Sequence, residues 1–268
     1  MTDQLQDTLA AAGFAKVIVE LKPAAMTMAT AARSETAIED HFTIPSEQQA
    51  ESLAATAMRH ASKSFRRTKS IADRKVRVYP HLGLAIGFVD KMGASSLASD
   101  PRVGAVVQAP ELSLIRPTAS RAARAKRTVS WGIEKLNVPR LWESGFTGKN
   151  VIVGHLDTGV DATHPALRNA IAEFAEFDMA GDIVPGARPS DSDEHGTHTA
   201  GTIVGRRLSS GAFGVAPDAK LASGMVIEGG QVIDRVLAGM EWIAARRNVR
   251  PVWPHSRSVR RLRARRSI

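Results

Sequence analysis

The chain has 268 residues, 43% hydrophobic and 24% charged, and no cysteine. That composition excludes a mostly disordered chain, a disulfide framework and any thiolate nucleophile or metal ligand, and no apolar run approaches the roughly 18 residues of a membrane-spanning helix. The formal net charge is +9, but residues 246–268 hold nine arginines and no acid; the remainder is neutral, so a basic nucleic-acid-binding fold is not indicated.

Taken in chain order, the opening Met1-Thr-Asp-Gln-Leu-Gln-Asp7 carries acids where an export signal needs a basic stretch. No signal peptide is expected there, the compartment stays open, and residues 1–14 read as an N-terminal arm. Residues 15–117 read as a small α+β unit. Ala15–Lys22 is strand-like, rich in valine and isoleucine and stopped by a proline. Ser46 and Gln49 have the spacing of a capping box, and Leu53, Ala57, Met58, Ala61 and Phe65 follow as a helical stripe. Lys75–Tyr79 alternates with period two, Leu82–Val89 suits a hairpin partner, Ser95–Asp100 a short helix and Val103–Val107 a last strand. The order β-α-β-β-α-β is ferredoxin-like.

Residues 118–130 are basic, small and unpatterned, as in an exposed linker, with a processing site as the functional alternative. From Trp131 to Val252 the pattern turns to α/β. Asn150–Asp157 is a nearly continuous apolar run ending in a carboxylate, as buried parallel strands are. Gly196, Ala200 and Gly201 would let a helix over 195–205 approach a sheet closely. Ala219–Ile227 suits another strand, and Ile233, Val236, Leu237, Met240, Ile243 and Ala244 form one helical face. The expected fold class is α/β, a parallel sheet with helices on both faces, in which chemistry gathers at the carboxyl ends of strands. Asp157 would sit at such an end.

Two segments point to chemistry: Val151-Ile-Val-Gly-His-Leu-Asp157-Thr-Gly-Val-Asp161, with His164-Pro165 after it, and Asp193-Glu-His195-Gly-Thr-His198-Thr-Ala-Gly201. Together and in this order they resemble the Asp and His motifs of the subtilisin-like serine proteases, the subtilases. Trp131-Gly132-Ile133, Gly145–Ile152 and Gly214-Val-Ala-Pro217 are similar to flanking pieces of that catalytic domain. Leu84–Val89 with Ser95–Val107 resembles its intramolecular prodomain, where an Asp-Pro-x-Val stretch enters the last strand. The resemblance implies an incomplete subtilisin-like sheet preceded by an inhibitor-type prodomain. It implies peptide or protein substrates, with His195 as general base and Asp157 as the carboxylate that orients it.

Other residues read as structural. Asp161 and His164 suit turn and packing positions. His198 lies on the helix of His195, and His195-x-x-His198 lacks a third ligand in a known metal spacing. No metal or cofactor is expected, and calcium is not, because Ala166–Ala172 contains no acid. His155 shares a strand face with Asp157, where it departs from the small apolar residues usual in the resemblance.

No Gly-Thr-Ser occurs in the sequence, so the serine nucleophile that the resemblance implies is missing, with the oxyanion asparagine and the Ser-Leu-Gly substrate strand. Residues 253–268 read as an arginine-rich tail, expected to be disordered and out of frame. Codons from Val252 read one nucleotide earlier admit Val-Ala-Ser-Leu-Ser-Val-Gly, similar to the missing strand. A serine endopeptidase by family, inactive as these residues stand, is therefore the expectation. The alternative is a non-catalytic prodomain-type inhibitor or folding module. A nucleic-acid or acidic-partner arm is the other reading of the tail.

Overall fold

A computed structural model describes residues 2–23, 37–46, 74–112, 129–228 and 232–246, with the backbone of 249–250. The helix expected from Ser46, most of the linker and the tail 253–268 lie outside the described residues.

The first unit is built on period-two strands. Strand β1 (Ala15–Leu21) pairs antiparallel with both β3 (Leu84–Val89) and β4 (Val103–Gln108), and β2 (Val76–Tyr79) pairs with β3, giving the order β2-β3-β1-β4. These directions are those of the β-α-β-β-α-β arrangement. Along β1, Ala15, Val17, Val19 and Leu21 turn to one face and join Val89, Ala94, Leu97, Val103 and Val106 in a core. Helix α2 (Lys91–Ser99) is capped by Asp90, whose carboxylate accepts the Gly93 N–H at 2.7 Å.

Residues 1–14, expected as an arm, contain helix α1 (Asp3–Ala12), which ends at Gly13 in the left-handed conformation, φ +77°. Leu5 and Leu9, one turn apart, are buried in the same core. Two leucines with an alanine run are too short a stripe to separate a docked helix from an arm.

The Asp100-Pro-Arg-Val103 entry to β4 has a physical cause. Asp100 accepts the Arg102 N–H at 2.8 Å and its guanidinium at 2.9 and 2.5 Å, and lies 3.1 Å from His41 Nε2. The hydrogen bonds from Arg102 hold the Asp100 carboxyl well below its ordinary range, against the effect of burial. A carboxyl with a depressed folded pKa stabilises the fold above its unfolded pKa and loses that contribution as pH falls below about 4. Asp100→Asn is expected to lower unfolding free energy by about 1–3 kcal/mol at pH 7 and by much less at pH 2, measured by urea denaturation.

The second unit opens with two short helices, α3 (Trp131–Lys135) and α4 (Val138–Glu143), joined at Asn137, φ +57°. A parallel sheet follows in the order β6-β7-β5-β8, made of β5 (Ile152–Asp157), β6 (Ile171–Glu176), β7 (Lys220–Met225) and β8 (Val249–Arg250). Helix α5 (Glu194–Val204) covers one face through Ala200 and Val204 packed with Val153 and Leu221. Helix α6 (Val232–Ala244) covers the other through Leu237, Ala238, Trp242 and Ile243 packed with Ile152, Leu156 and Ala222. The α/β class expected from the sequence is the one found. Strand β6 was not foreseen. Its apolar residues Ile171, Phe174 and Phe177 recur every third residue, and the cause is an irregularity between Ile171 and Glu173 that breaks the two-residue period.

The two units share a core. The outer face of the first sheet, with Ile18, Tyr79, Leu84 and Ile86, packs on α6 in one cluster with Phe177, Trp242 and Ile243. Polar pairs rim it. Lys16 Nζ meets Asp234 at 2.5 Å, Tyr79 Oη donates to the Asp234 carbonyl at 3.2 Å, and Glu241 accepts the backbone N–H of His81 and Leu82. No helix among the described residues is long and apolar enough to cross a membrane.

Candidate active site

Alternation along β5 decides what faces what. Ile152, Gly154 and Leu156 point to α6, where a side chain at Gly154 would meet Ile243. Val153, His155 and Asp157 therefore point to α5. Asp157 closes the strand at its carboxyl end, where the β5–β7 pairing stops and its carbonyl accepts the N–H groups of Val226 and Ile227.

Helix α5 starts beside that end. Asp193 caps it by accepting the His195 N–H at 3.2 Å. Close approach is possible because residue 196 is glycine: a Cβ there would lie 2.2 Å from the Gly159 carbonyl oxygen. The Gly196 N–H instead reaches Thr158 Oγ1 at 2.8 Å, and that hydroxyl donates to Asp191 Oδ1 at 2.7 Å. Asp191 Oδ2 also accepts the N–H and hydroxyl of Thr197, at 2.6 and 2.5 Å. These bonds tie the loop after β5 to the first turn of α5.

The result brings His195 Nδ1 to 2.7 Å from Asp157 Oδ1. The same oxygen accepts the Thr158 N–H at 2.7 Å, and Oδ2 accepts the Thr199 hydroxyl at 3.0 Å. Burial opposes the charge on Asp157, but the hydrogen bonds from His195, Thr158 and Thr199 outweigh it and hold the carboxyl below its ordinary value. The Asp157 side chain keeps 10% of its surface and that of His195 24%, so the imidazole is the more accessible partner.

The remaining residues singled out from the sequence divide differently. Asp161 accepts the Thr163 N–H and hydroxyl, at 2.8 and 2.6 Å, and works as a turn residue. His164 Nδ1 accepts the Ala166 N–H at 3.3 Å in the short 3-10 turn Pro165–Leu167. His198 is exposed on α5. Among the described residues, no three His, Cys, Asp or Glu side chains gather as metal ligands would. His155, without a role in the sequence reading, lies buried between β5, β7 and α5, 2.9 Å from Ser223 Oγ and 3.0 Å from Thr199 Oγ1. Thr158, Asp191 and Thr199 were missed because threonines and aspartates are common in turns and helix starts. The one local signal was Thr199, four residues after His195 and so on the same side of the helix.

Residues 148–258 match the sequence profile of the subtilase family, a span that contains both Asp157 and His195. The chain carries a subtilase segment. Subtilisin E of Bacillus subtilis (strain 168) is 30% identical over 167 residues, 61% of this chain and 39% of the relative. The alkaline protease of Alkalihalobacillus alcalophilus is 39% identical over 137 residues, 50% of this chain and 33% of the relative. Bacillopeptidase F of Bacillus subtilis (strain 168) is 29% identical over 180 residues, 57% of this chain and 13% of the relative. The chain thus spans less than half the length of these subtilase relatives. The likeness to subtilisin E is longer than the stretch from residue 148 to the end of the chain, so it reaches into the residues before the subtilase segment.

Proposed function

We propose that this chain carries the acid–base half of a serine endopeptidase site, with Asp157 orienting His195 and His195 serving as general base for a serine hydroxyl. The observation that carries this reading is the 2.7 Å contact between His195 Nδ1 and Asp157 Oδ1. An ionised carboxylate only accepts, so the His195 proton on that side sits on Nδ1. Nε2 is then the ring atom with a lone pair, and it can draw a proton from a hydroxyl brought against it. The substrates would be peptides or proteins, cleaved through an acyl-enzyme on that serine.

The nucleophile would come from outside these 268 residues, which contain no Gly-Thr-Ser. The out-of-frame reading of residues 253–268 supplies a source: a downstream frame that restores the substrate strand and the serine. Two measurements test this. The 268-residue polypeptide is expected to take no fluorophosphonate label; labelling would overturn its inactivity. DNA sequenced across codon 252 is expected to reveal a frame running to Gly-Thr-Ser, and the protein it encodes is expected to be labelled only while His195 is intact. An unrelated downstream frame, or labelling indifferent to His195→Ala, would overturn the assignment.

The packing of the first sheet on α6 favours a second role for residues 15–117, as a folding and inhibitory module. Residues 1–117 added to an active subtilase are expected to inhibit it, and unchanged hydrolysis of a peptide substrate would exclude that role. The fragment begins at residue 1 because α1 contributes to its core.

A further inference from the structure

A histidine in the middle of a buried parallel strand needs an explanation. Its residue is 5% exposed, and Ser223 beside it is wholly buried. Burying two polar side chains is costly unless each polar atom finds a partner. Here both ring nitrogens do, and the partners lead to the Asp157 carboxylate. His155 Nδ1 lies 2.9 Å from Ser223 Oγ on β7, Nε2 lies 3.0 Å from Thr199 Oγ1 on α5, and Thr199 Oγ1 lies 3.0 Å from Asp157 Oδ2.

Counting protons orders the chain. Thr199 has one hydroxyl proton and three neighbours: Asp157 Oδ2, His155 Nε2 and, at 3.1 Å, the Gly196 carbonyl. Carboxylate and carbonyl can only accept. If Nε2 carries the ring proton, His155 donates to Thr199, and the hydroxyl is free to donate to the charged, stronger acceptor Asp157. Nδ1 then accepts from Ser223, and every group is satisfied. In the opposite tautomer Nε2 competes with Asp157 for the Thr199 proton and sets its lone pair 3.9 Å from Oδ2.

We propose that His155 is a positioning residue: as the Nε2–H tautomer it commits the Thr199 hydroxyl to Asp157 Oδ2, which leaves Oδ1 aimed at His195. Burial pushes the His155 pKa below that of a free imidazole, outweighing the nearby Asp157 and Asp191 carboxylates, so the ring stays neutral as this arrangement requires. The significance for proteolysis rests on the reading of Asp157 and His195 given above. The tautomer and its effect on the Asp157–His195 contact do not.

The test therefore uses no substrate. The full 268-residue chain, labelled with 15N-histidine, is examined by long-range 1H–15N correlation at pH 7. His155 is expected to show a protonated Nε2 and a bare Nδ1. Thr199→Val, close in shape, is expected to abolish that bias and to displace the His195 Nδ1 resonance beyond its linewidth. His155→Val should displace the same resonance. His155→Gln, whose amide nitrogen can replace Nε2 as donor to Thr199, should restore it. A His155 proton on Nδ1 in the parent chain would overturn the proposal. So would an unmoved His195 resonance in Thr199→Val, with helix content retained by circular dichroism. Should His155→Val fail to fold, the parent spectrum and Thr199→Val still decide the matter.

Discussion

Gly196→Ala is expected to destabilise the second unit by about 3 kcal/mol and to separate His195 from Asp157. The cause is steric and local. An added Cβ would lie 2.2 Å from the Gly159 carbonyl oxygen, 2.8 Å from Thr158 Oγ1 and 2.9 Å from the Gly159 nitrogen. Two of these are backbone atoms, and Gly159 itself is held at φ +119° with Ser190 against it, so the loop cannot yield. The helix must retreat instead, and the Gly196 N–H loses Thr158 Oγ1. Gly201→Ala on the same helix is the control. Its Cβ would meet only Phe213, at 3.7 Å, an ordinary contact. Alanine favours helix there, so stability should be unchanged or rise by up to about 1 kcal/mol. Urea denaturation of the pair, with the His195 ring resonance as a local probe, checks both. Equal stability of the two variants would show that α5 does not depend on this close approach.

The second large effect concerns Arg235 on α6, which is 0% exposed although charged. Burial brings its pKa down to about 10, while Glu228, Asp234, Asp178 and Glu176 act in the opposite direction. Glu228 is itself buried. Burial, with Glu228 adding to it, pushes the Glu176 carboxyl above its ordinary value. Arg235→Met fills similar space but removes the cation these carboxylates face. Breaking one side of a buried charge group typically costs about 3–5 kcal/mol, because the opposite charge stays behind without compensation. Arg235→Met is expected to lose that much at pH 7 by urea denaturation. Adding Glu228→Gln should recover part of it, since the buried carboxylate among those left behind is then neutral. A double variant no more stable than the single one would show that Arg235 acts through packing of its stem.

Much of the strand framework was legible because apolar and β-branched residues concentrate in short local runs. Val17, Ile18 and Val19 with the proline after Lys22 announce β1, and the apolar run into Asp157 announces β5. Helix α1 and strand β6 were not legible, the first for want of length, the second because an irregular register hides its period. The site divides along the same line. Asp157 and His195 stand in recognisable local motifs, and their approach follows from a strand end meeting a helix start across Gly196. Asp191 and Ser223 lie outside those motifs and Thr158 and Thr199 inside them, but all four gain a role only from what they touch.

From the order of its residues alone came the α/β class and the expectation that an aspartate and a histidine, Asp157 and His195, belong to one site. The fold class rests on neighbours a few positions apart, whose periodicity is written along the chain; the expectation for Asp157 and His195 rests on the resemblance of their two motifs to those of the subtilases. Tertiary structure alone decided that the first sheet seats itself on α6, that residues 3–12 belong to a core, and that His155 reaches Asp157 through Thr199. Those contacts join residues separated by 44 positions from His155 to Thr199 and 68 from His155 to Ser223. No local period encodes such distances; they arise when strands and helix close around a shared interior and each buried polar atom must find its partner there.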